Sequence, residues 1–207
     1  MNQTSPKTKY FSARRVATLA VLTAMGLIMF MVESLFPSFF IPGAKMGLSN
    51  IFSLLALFLL GPVDAIILVV TRTVLGSLIV GNMSTLMYSL SAGLVSVVAS
   101  AFLVQFAYPK VSLVAVSVVA AVLHNLTQNV VFCLVSNTPQ MFIYMPYLAL
   151  LGVLAGLIVG FGVWFILRSV PTRTFAALLD IDLPVAEQPE QSSQPDPTPE
   201  SNDKTEE

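Results

Sequence analysis

The sequence predicts an all-α integral membrane protein, a bundle of six membrane-spanning helices in the cell membrane with both termini in the cytoplasm. The first observation is composition: the 207-residue chain is 56% hydrophobic and only 10% charged, whereas about a quarter of the residues in a soluble domain are charged. The second is the arrangement of the apolar residues in six segments separated by short connections. So few charges cannot cover a water-facing surface, which excludes a soluble domain.

The lengths of the segments predict how each crosses the bilayer. Spanning about 30 Å of hydrocarbon takes about 20 helical residues, so segments one, four, five and six are long enough and segment three is adequate. Segment two reaches only roughly 22 Å. It is predicted to be either a short helix or a segment that begins as non-helical backbone buried in protein, because Pro42 and Gly43 precede it. In order, the segments cover residues 16–36, 46–60, 63–80, 84–107, 111–135 and 141–167.

Basic residues predict the orientation. Six crossings place both chain ends on one side, and only Lys45 of the loop cations then lies on the other side. Because cytoplasmic loops carry the excess of Lys and Arg, both termini are expected in the cytoplasm. The cations that share this side are Lys7, Lys9, Arg14, Arg15, Lys110, Arg168 and Arg173.

The chain divides into three regions. Residues 1–11 form a cytoplasmic N-terminal segment, residues 12–170 the membrane domain, and residues 171–207 an acidic, Pro-rich cytoplasmic tail. Nine of the eleven acidic residues lie from Asp180 onward. The tail has almost nothing apolar to bury and is therefore expected to be disordered.

Three segments carry small residues at helical spacing, which lets helix backbones approach closely in lipid. The stripes on segments four and six are interpreted as packing surfaces within the bundle, whereas the stripe on segment one could instead bind a partner. The stripes are Ala13, Ala17, Ala20 and Ala24 on segment one, Ser89, Gly93, Ser96 and Ser100 on segment four, and Gly152, Gly156 and Gly160 on segment six.

Four polar side chains interrupt segment five. His124 and Gln128 share one helical face, and Asn125 and Asn129 form a second column beside it. This polar wedge must face protein, water or ligand, so it either forms interhelical hydrogen bonds or lines a cavity. Four such groups in six residues favour the cavity. One histidine and one cysteine, Cys133, are a poor ligand set, and no metal site is predicted.

Charged residues inside or beside the segments are few. Arg72 lies in the middle of segment three, where a guanidinium requires an anion, carbonyl groups or water. Asp64 is interpreted as a helix N-terminal acid at the interface. Glu33 and Lys45 flank the first external loop and could pair with each other, or Lys45 could bind an anionic ligand.

Catalytic signatures are missing from the sequence. It contains no G-x-x-x-x-G-K-[ST] phosphate loop, no H-E-x-x-H and no aspartate-rich diphosphate motif, and its membrane domain contains no Ser-x-x-Lys. Only two carboxylates precede Val170. No catalytic residue, cofactor or nucleic-acid binding is therefore predicted.

Three stretches resemble a known family: IPGAKMGLSNIFSLLALFLLGPVDAIILVVTRTVLGSL at 41–78, YSLSAGLVS at 88–96 and HNLTQN at 124–129. They are similar to the Gx transporter family, whose members are often labelled heptaprenyl diphosphate synthase component I, and the resemblance covers about residues 12–168. By architecture that family looks like the S components, the substrate-binding subunits of energy-coupling-factor (ECF) transporters. Those subunits are six-helix membrane proteins with cytoplasmic termini, served by a transmembrane coupling subunit that holds two ATPases.

The resemblance implies two alternative roles. As an S component, the chain would bind a small polar or anionic ligand for uptake, and the stripe Ala13, Ala17, Ala20 and Ala24 would dock the coupling subunit. By its label, it would instead be a non-catalytic membrane component associated with heptaprenyl diphosphate synthesis. Depth and chemistry, rather than the resemblance, nominate the ligand-binding residues, which are Lys45, Asn50, Arg72, His124, Asn125 and Gln128.

Overall fold

A computed structural model describes residues 13–35, 47–81, 83–108 and 110–169, and both chain-end regions and Lys45 lie outside these ranges. The described residues are all-helical, as predicted, and each apolar segment contains one α-helix. The helices are α1 (Ala13–Leu35), α2 (Asn50–Leu59), α3 (Pro62–Val80), α4 (Met83–Ala107), α5 (Leu113–Ser136) and α6 (Met145–Ser169), with a 3-10 helix (Pro139–Tyr144) leading into α6.

Long apolar helices make this a multi-pass membrane protein. Among the described residues, five helical stretches are long and apolar enough to cross a membrane, namely α1, α3, α4, α5 and the 3-10 helix continuous with α6. Large apolar side chains cover their outer faces; Ile28 is 62% exposed and Phe106 is 70% exposed. An apolar surface of this extent is unusual for a soluble monomer and is suited to contact with lipid.

The remaining helix, α2, is the short one. It has ten residues and is therefore about 15 Å long, half the thickness of the hydrocarbon core. A buried turn precedes it, in which Gly47 has a φ of +72°, a conformation that favours glycine. Segment two thus combines both predicted possibilities: it is a short helix, and it begins as buried non-helical backbone.

Polar contacts at the two ends of the bundle establish the direction of α2. At one end, Arg15 near the start of α1 donates to Asp64 in the first turn of α3 and to the Leu60 carbonyl after α2. Towards the other end, the Glu33 carboxylate near the end of α1 accepts from the backbone N–H of Leu48, just before α2. Helix α2 therefore runs antiparallel to α1 and α3. We call these the Arg15 end and the Glu33 end of the bundle.

Helices α5 and α6 pack backbone against backbone through the glycine stripe of segment six. A Cβ added at Gly156 would lie 2.5 Å from Val118 Cα, and one added at Gly152 would lie 2.8 Å from Val122 Cα. These distances are far below ordinary carbon–carbon contact. The predicted packing role of this stripe is confirmed, and the surface it packs against is α5.

Candidate functional site

Arg72 is buried in the middle of the bundle. It is the eleventh of the nineteen residues of α3 and only 2% exposed. Its aliphatic stem packs against α1 at Gly26, where an added Cβ would lie 3.4 Å from Arg72 Cδ. A glycine at this position lets the two helices approach while the guanidinium stays inside the protein.

Asn50 is the partner of this guanidinium. Nη2 of Arg72 donates to Oδ1 of Asn50, the first residue of α2, at 2.6 Å. A guanidinium carries five N–H donors. Within the described part of the chain, Nε and Nη1 of Arg72 have no hydrogen-bond partner. The arrangement therefore presents unused donors at the N-terminal end of a half-length helix.

Glu33 holds the entry to α2 and partly offsets the charge of Arg72. Its Oε1 accepts from the backbone N–H of Leu48 and, at 3.4 Å, from that of Ser49, while its Oε2 accepts from the Ser49 hydroxyl at 3.2 Å. A carboxylate is favourable beside the free N–H groups that precede a helix. The same carboxylate also interacts electrostatically with the Arg72 guanidinium. Lys45, which was predicted either to pair with Glu33 or to bind an anionic ligand, lies outside the described residues.

The asparagine column of the polar wedge binds neighbouring helices. Asn125 Nδ2 donates to the Leu148 carbonyl of α6 and Asn129 Nδ2 donates to the Met141 carbonyl of the 3-10 helix, each at 3.2 Å. Both side chains are 6% exposed. Interhelical hydrogen bonding, one of the two predicted roles, therefore applies to this column.

The other column of the wedge lies on a different face of α5. His124 and Gln128 are 7% and 3% exposed. Ser117 and Ala120, at the preceding turns of the same face, line a cavity. His124 and Gln128 thus extend this cavity-lining face of α5 towards the Glu33 end.

That cavity lies between α2, α4, α5 and α6 and has a volume of about 20 Å³. On the same measure one water molecule needs about 10–15 Å³. Of the predicted ligand-binding residues its lining includes Asn50, but not Arg72, His124, Asn125 or Gln128. Sequence reasoning did not single out Ser53 and Ser117, which also line it. Their spacing was a usable signal, because Ser53 follows Asn50 by three residues and Ser117 precedes His124 by seven.

The alanine stripe of α1 faces away from the bundle. The inward face of the helix consists of Leu22, Gly26 and Phe30, whereas Ala13, Ala17, Ala20 and Ala24 are all exposed. Unlike the glycines of α6, these residues are not used for packing among the described helices.

The predicted helix N-terminal acid, Asp64, lies in the first turn of α3 and in addition forms an ion pair with Arg15.

No group of three or more His, Cys, Asp or Glu side chains within residues 13–35, 47–81, 83–108 and 110–169 could hold a metal ion. Comparison with protein families gives a match. The model of a family described as heptaprenyl diphosphate synthase component I matches residues 22–166, well over half of the chain. No curated protein and no solved structure matches the chain.

Proposed function

Since the chain belongs to the heptaprenyl diphosphate synthase component I family, we propose that it is the membrane-embedded substrate-binding subunit of an ATP-driven uptake system for a small molecule. In this role it resembles the S components of ECF transporters and has no ATPase activity of its own. All six helices cross the membrane, α2 with the help of non-helical backbone, and both termini lie in the cytoplasm. The Arg15 end of the bundle is then the cytoplasmic end.

The observation that carries this proposal is that the buried guanidinium of Arg72 has N–H donors without a partner among the described residues. Ionisable groups inside a membrane are costly and mark ligand or ion pathways by default. Transporter sites typically form where a discontinuous helix ends inside the bilayer, with its N-terminus directed at the substrate. Asn50 is the first residue of such a half-length helix and already contacts Arg72.

The charges define the class of ligand. Arg72 offers Nε and Nη1 to an acceptor, and a carboxylate or phosphate oxygen is the acceptor that a guanidinium binds best. Glu33 partly offsets the positive charge, so a polar ligand with a single acidic group is favoured over a multiply charged anion. His124 and Gln128, on the cavity-lining face of α5, are further proposed ligand-binding residues, whereas Asn125 bonds to the Leu148 carbonyl and Lys45 lies outside the described residues.

The exposed alanine stripe of α1 is the proposed docking surface for a transmembrane coupling subunit with its ATPases. Small residues in an outward-facing stripe allow another helix to approach the α1 backbone. Arg15 lies between Ala13 and Ala17 and is bonded to Asp64 and to the Leu60 carbonyl. Helix α2 therefore contacts the proposed ligand site at Asn50 and leads at its other end to the proposed docking surface.

The family description favours a second candidate function. It names a component of heptaprenyl diphosphate synthase, and a numbered component implies at least one further component. In this alternative, the chain is a non-catalytic membrane partner of a separate synthase, and a diphosphate group is the anion that approaches Arg72.

Co-purification distinguishes the two candidates. The full-length protein is extracted from native membranes in a mild detergent, and its partners are identified for the wild type and for Ala17→Leu/Ala20→Leu. Recovery of a membrane subunit with ATPases, lost in the leucine variant, is the expected result. The matched control is Val98→Phe on the exposed face of α4, where Val98 is 55% exposed; it adds bulk to a different lipid-facing surface and retains the partners.

A prenyl synthase that co-purifies in place of ATPases supports the second candidate. Recovery of the coupling subunit and ATPases at wild-type levels with Ala17→Leu/Ala20→Leu contradicts the docking surface on α1. Loss of the partners in Val98→Phe as well contradicts a surface confined to the alanine stripe.

A further inference from the structure

Hydroxyl groups line the cavity between α2, α4, α5 and α6. Helix α2 packs on α1, α3, α4 and α6, and the cavity separates it from α5. The lining takes Ser53 from α2, Ser96 and Ser100 from α4, and Ser117 from α5. The remaining walls are mostly apolar or small side chains, so these serines and Asn50 supply the polar side chains of the lining.

Two of these hydroxyls have no protein partner. A serine in a helix commonly donates to the carbonyl four residues earlier, as Ser34, Ser91 and Ser100 do here at 2.8–2.9 Å. Ser53 and Ser117 are 5% and 2% exposed, and among the described residues no group accepts from or donates to either Oγ. Both hydroxyls instead face the cavity. Burying a hydroxyl without a hydrogen bond is unfavourable.

We propose that this cavity binds one water molecule that bridges Ser53 on α2 to Ser117 on α5. Its volume of about 20 Å³ accommodates one water, which needs about 10–15 Å³ and two to four polar partners. Among the described residues, the lining contains no carboxylate, which a divalent cation requires, and the Arg72 guanidinium bonded to Asn50 disfavours any cation nearby.

The bridge gives α2 a polar link to α5, which is not among its main packing partners. Without it, each hydroxyl would be a buried donor with no acceptor. This inference does not depend on the proposed function, because the water is bound by the protein in the absence of any transported ligand or partner.

Thermal unfolding of the full-length protein in detergent tests the bridge. Ser53→Ala and Ser117→Ala are each expected to lower Tm by about 2–4 °C, the shift that the loss of one ordinary interaction causes in a chain of this size. The double variant is expected to fall no further than the larger single effect, because a water that has lost one anchor no longer links the helices. The matched control is Ser77→Ala: Ser77 Oγ is also buried without a partner but lies outside the cavity lining, and its removal leaves Tm unchanged or raised.

An unchanged or raised Tm for Ser117→Ala overturns the proposal, because it shows that the Ser117 hydroxyl makes no stabilising hydrogen bond in the cavity. Strictly additive losses in the double variant overturn the bridge. A wild-type Tm that rises in sodium chloride relative to choline chloride, with no such rise in Ser117→Ala, shows a sodium ion in place of water. A high-resolution experimental structure provides a readout independent of folding: density for a water within hydrogen-bond distance of both Oγ atoms supports the proposal, and its absence overturns it.

Discussion

Replacing Arg72 by methionine separates a ligand-binding role from a structural one, even before the ligand is known. Methionine retains the length of the apolar stem that packs at Gly26 and removes the guanidinium. If Arg72 is held in place for function, the unliganded protein should lose little stability. If Arg72 instead holds helices together, its removal should be strongly destabilising.

The expected magnitude follows from the contacts of the guanidinium. The substitution removes a charged hydrogen bond to Asn50, which contributes about 1.5–3 kcal/mol, and leaves the Asn50 oxygen unpaired at a cost of about 1–3 kcal/mol. It also removes two buried donors, Nε and Nη1, that lack a partner within the described residues, each of which costs about 1–3 kcal/mol or more. The lost attraction to Glu33 is likewise opposed by the relief of a buried charge. These contributions nearly cancel, so the free energy of unfolding should change by less than about 2 kcal/mol.

The assay is thermal unfolding of purified, monodisperse protein, with Leu68→Ala as the comparison. Leu68 lies one turn before Arg72 and is fully buried, so its truncation should cost about 2–5 kcal/mol. A decrease in Tm for Arg72→Met as large as that for Leu68→Ala refutes the reasoning and makes Arg72 a structural residue. Arg72→Lys, which retains a positive charge but loses the planar fork, should remain close to the wild type in Tm.

Two further predictions concern the packing of the bundle. Gly156→Ala should lower the free energy of unfolding by about 1–3 kcal/mol, because its Cβ would lie 2.5 Å from Val118 Cα. The control is Gly162→Ala on the same helix, whose Cβ would meet Ile51 Cδ1 at 3.6 Å and which should leave stability unchanged or raised. Equal losses at both positions in a thermal unfolding assay would contradict backbone packing through the stripe. A double-mutant cycle of Arg15→Gln and Asp64→Asn should give a coupling energy of about 1 kcal/mol or less that decreases with added salt, because both side chains are partly exposed. A larger coupling energy that is insensitive to salt would show an ion pair shielded from solvent.

Local sequence signals were sufficient for the helices and for one packing surface. The apolar segment at 63–80 predicted α3, which begins at Pro62, and the four-residue spacing of Gly152, Gly156 and Gly160 predicted a close helix contact. Both are confirmed. Such signals succeed because they depend on the covalent geometry of Gly and Pro and on the helical period, which act within a few residues.

Side-chain partners were much less predictable. The period of α5 assigned His124 and Asn125 to separate columns, but it does not contain the information that Asn125 meets the Leu148 carbonyl. The same limit applies to Glu33, whose observed acceptor role involves backbone N–H groups before α2, and backbone groups carry no sequence signature. Ser53 and Ser117 were missed because a helical serine can bond to its own helix or face a cavity, and the neighbouring helices decide which.

The short length of α2 explains why polar groups converge at this place in an otherwise apolar bundle. Because the helix begins only at Asn50, its first side chain lies level with the middle of α3 and can reach Arg72 at 2.6 Å. A helix that spanned the whole bilayer would begin well above that level. The non-helical turn before Asn50 exposes backbone N–H groups inside the protein, and these must be satisfied. Glu33 accepts from two of them while opposing the charge of Arg72, so a single carboxylate stabilises both the interrupted helix and the buried cation that its first residue contacts.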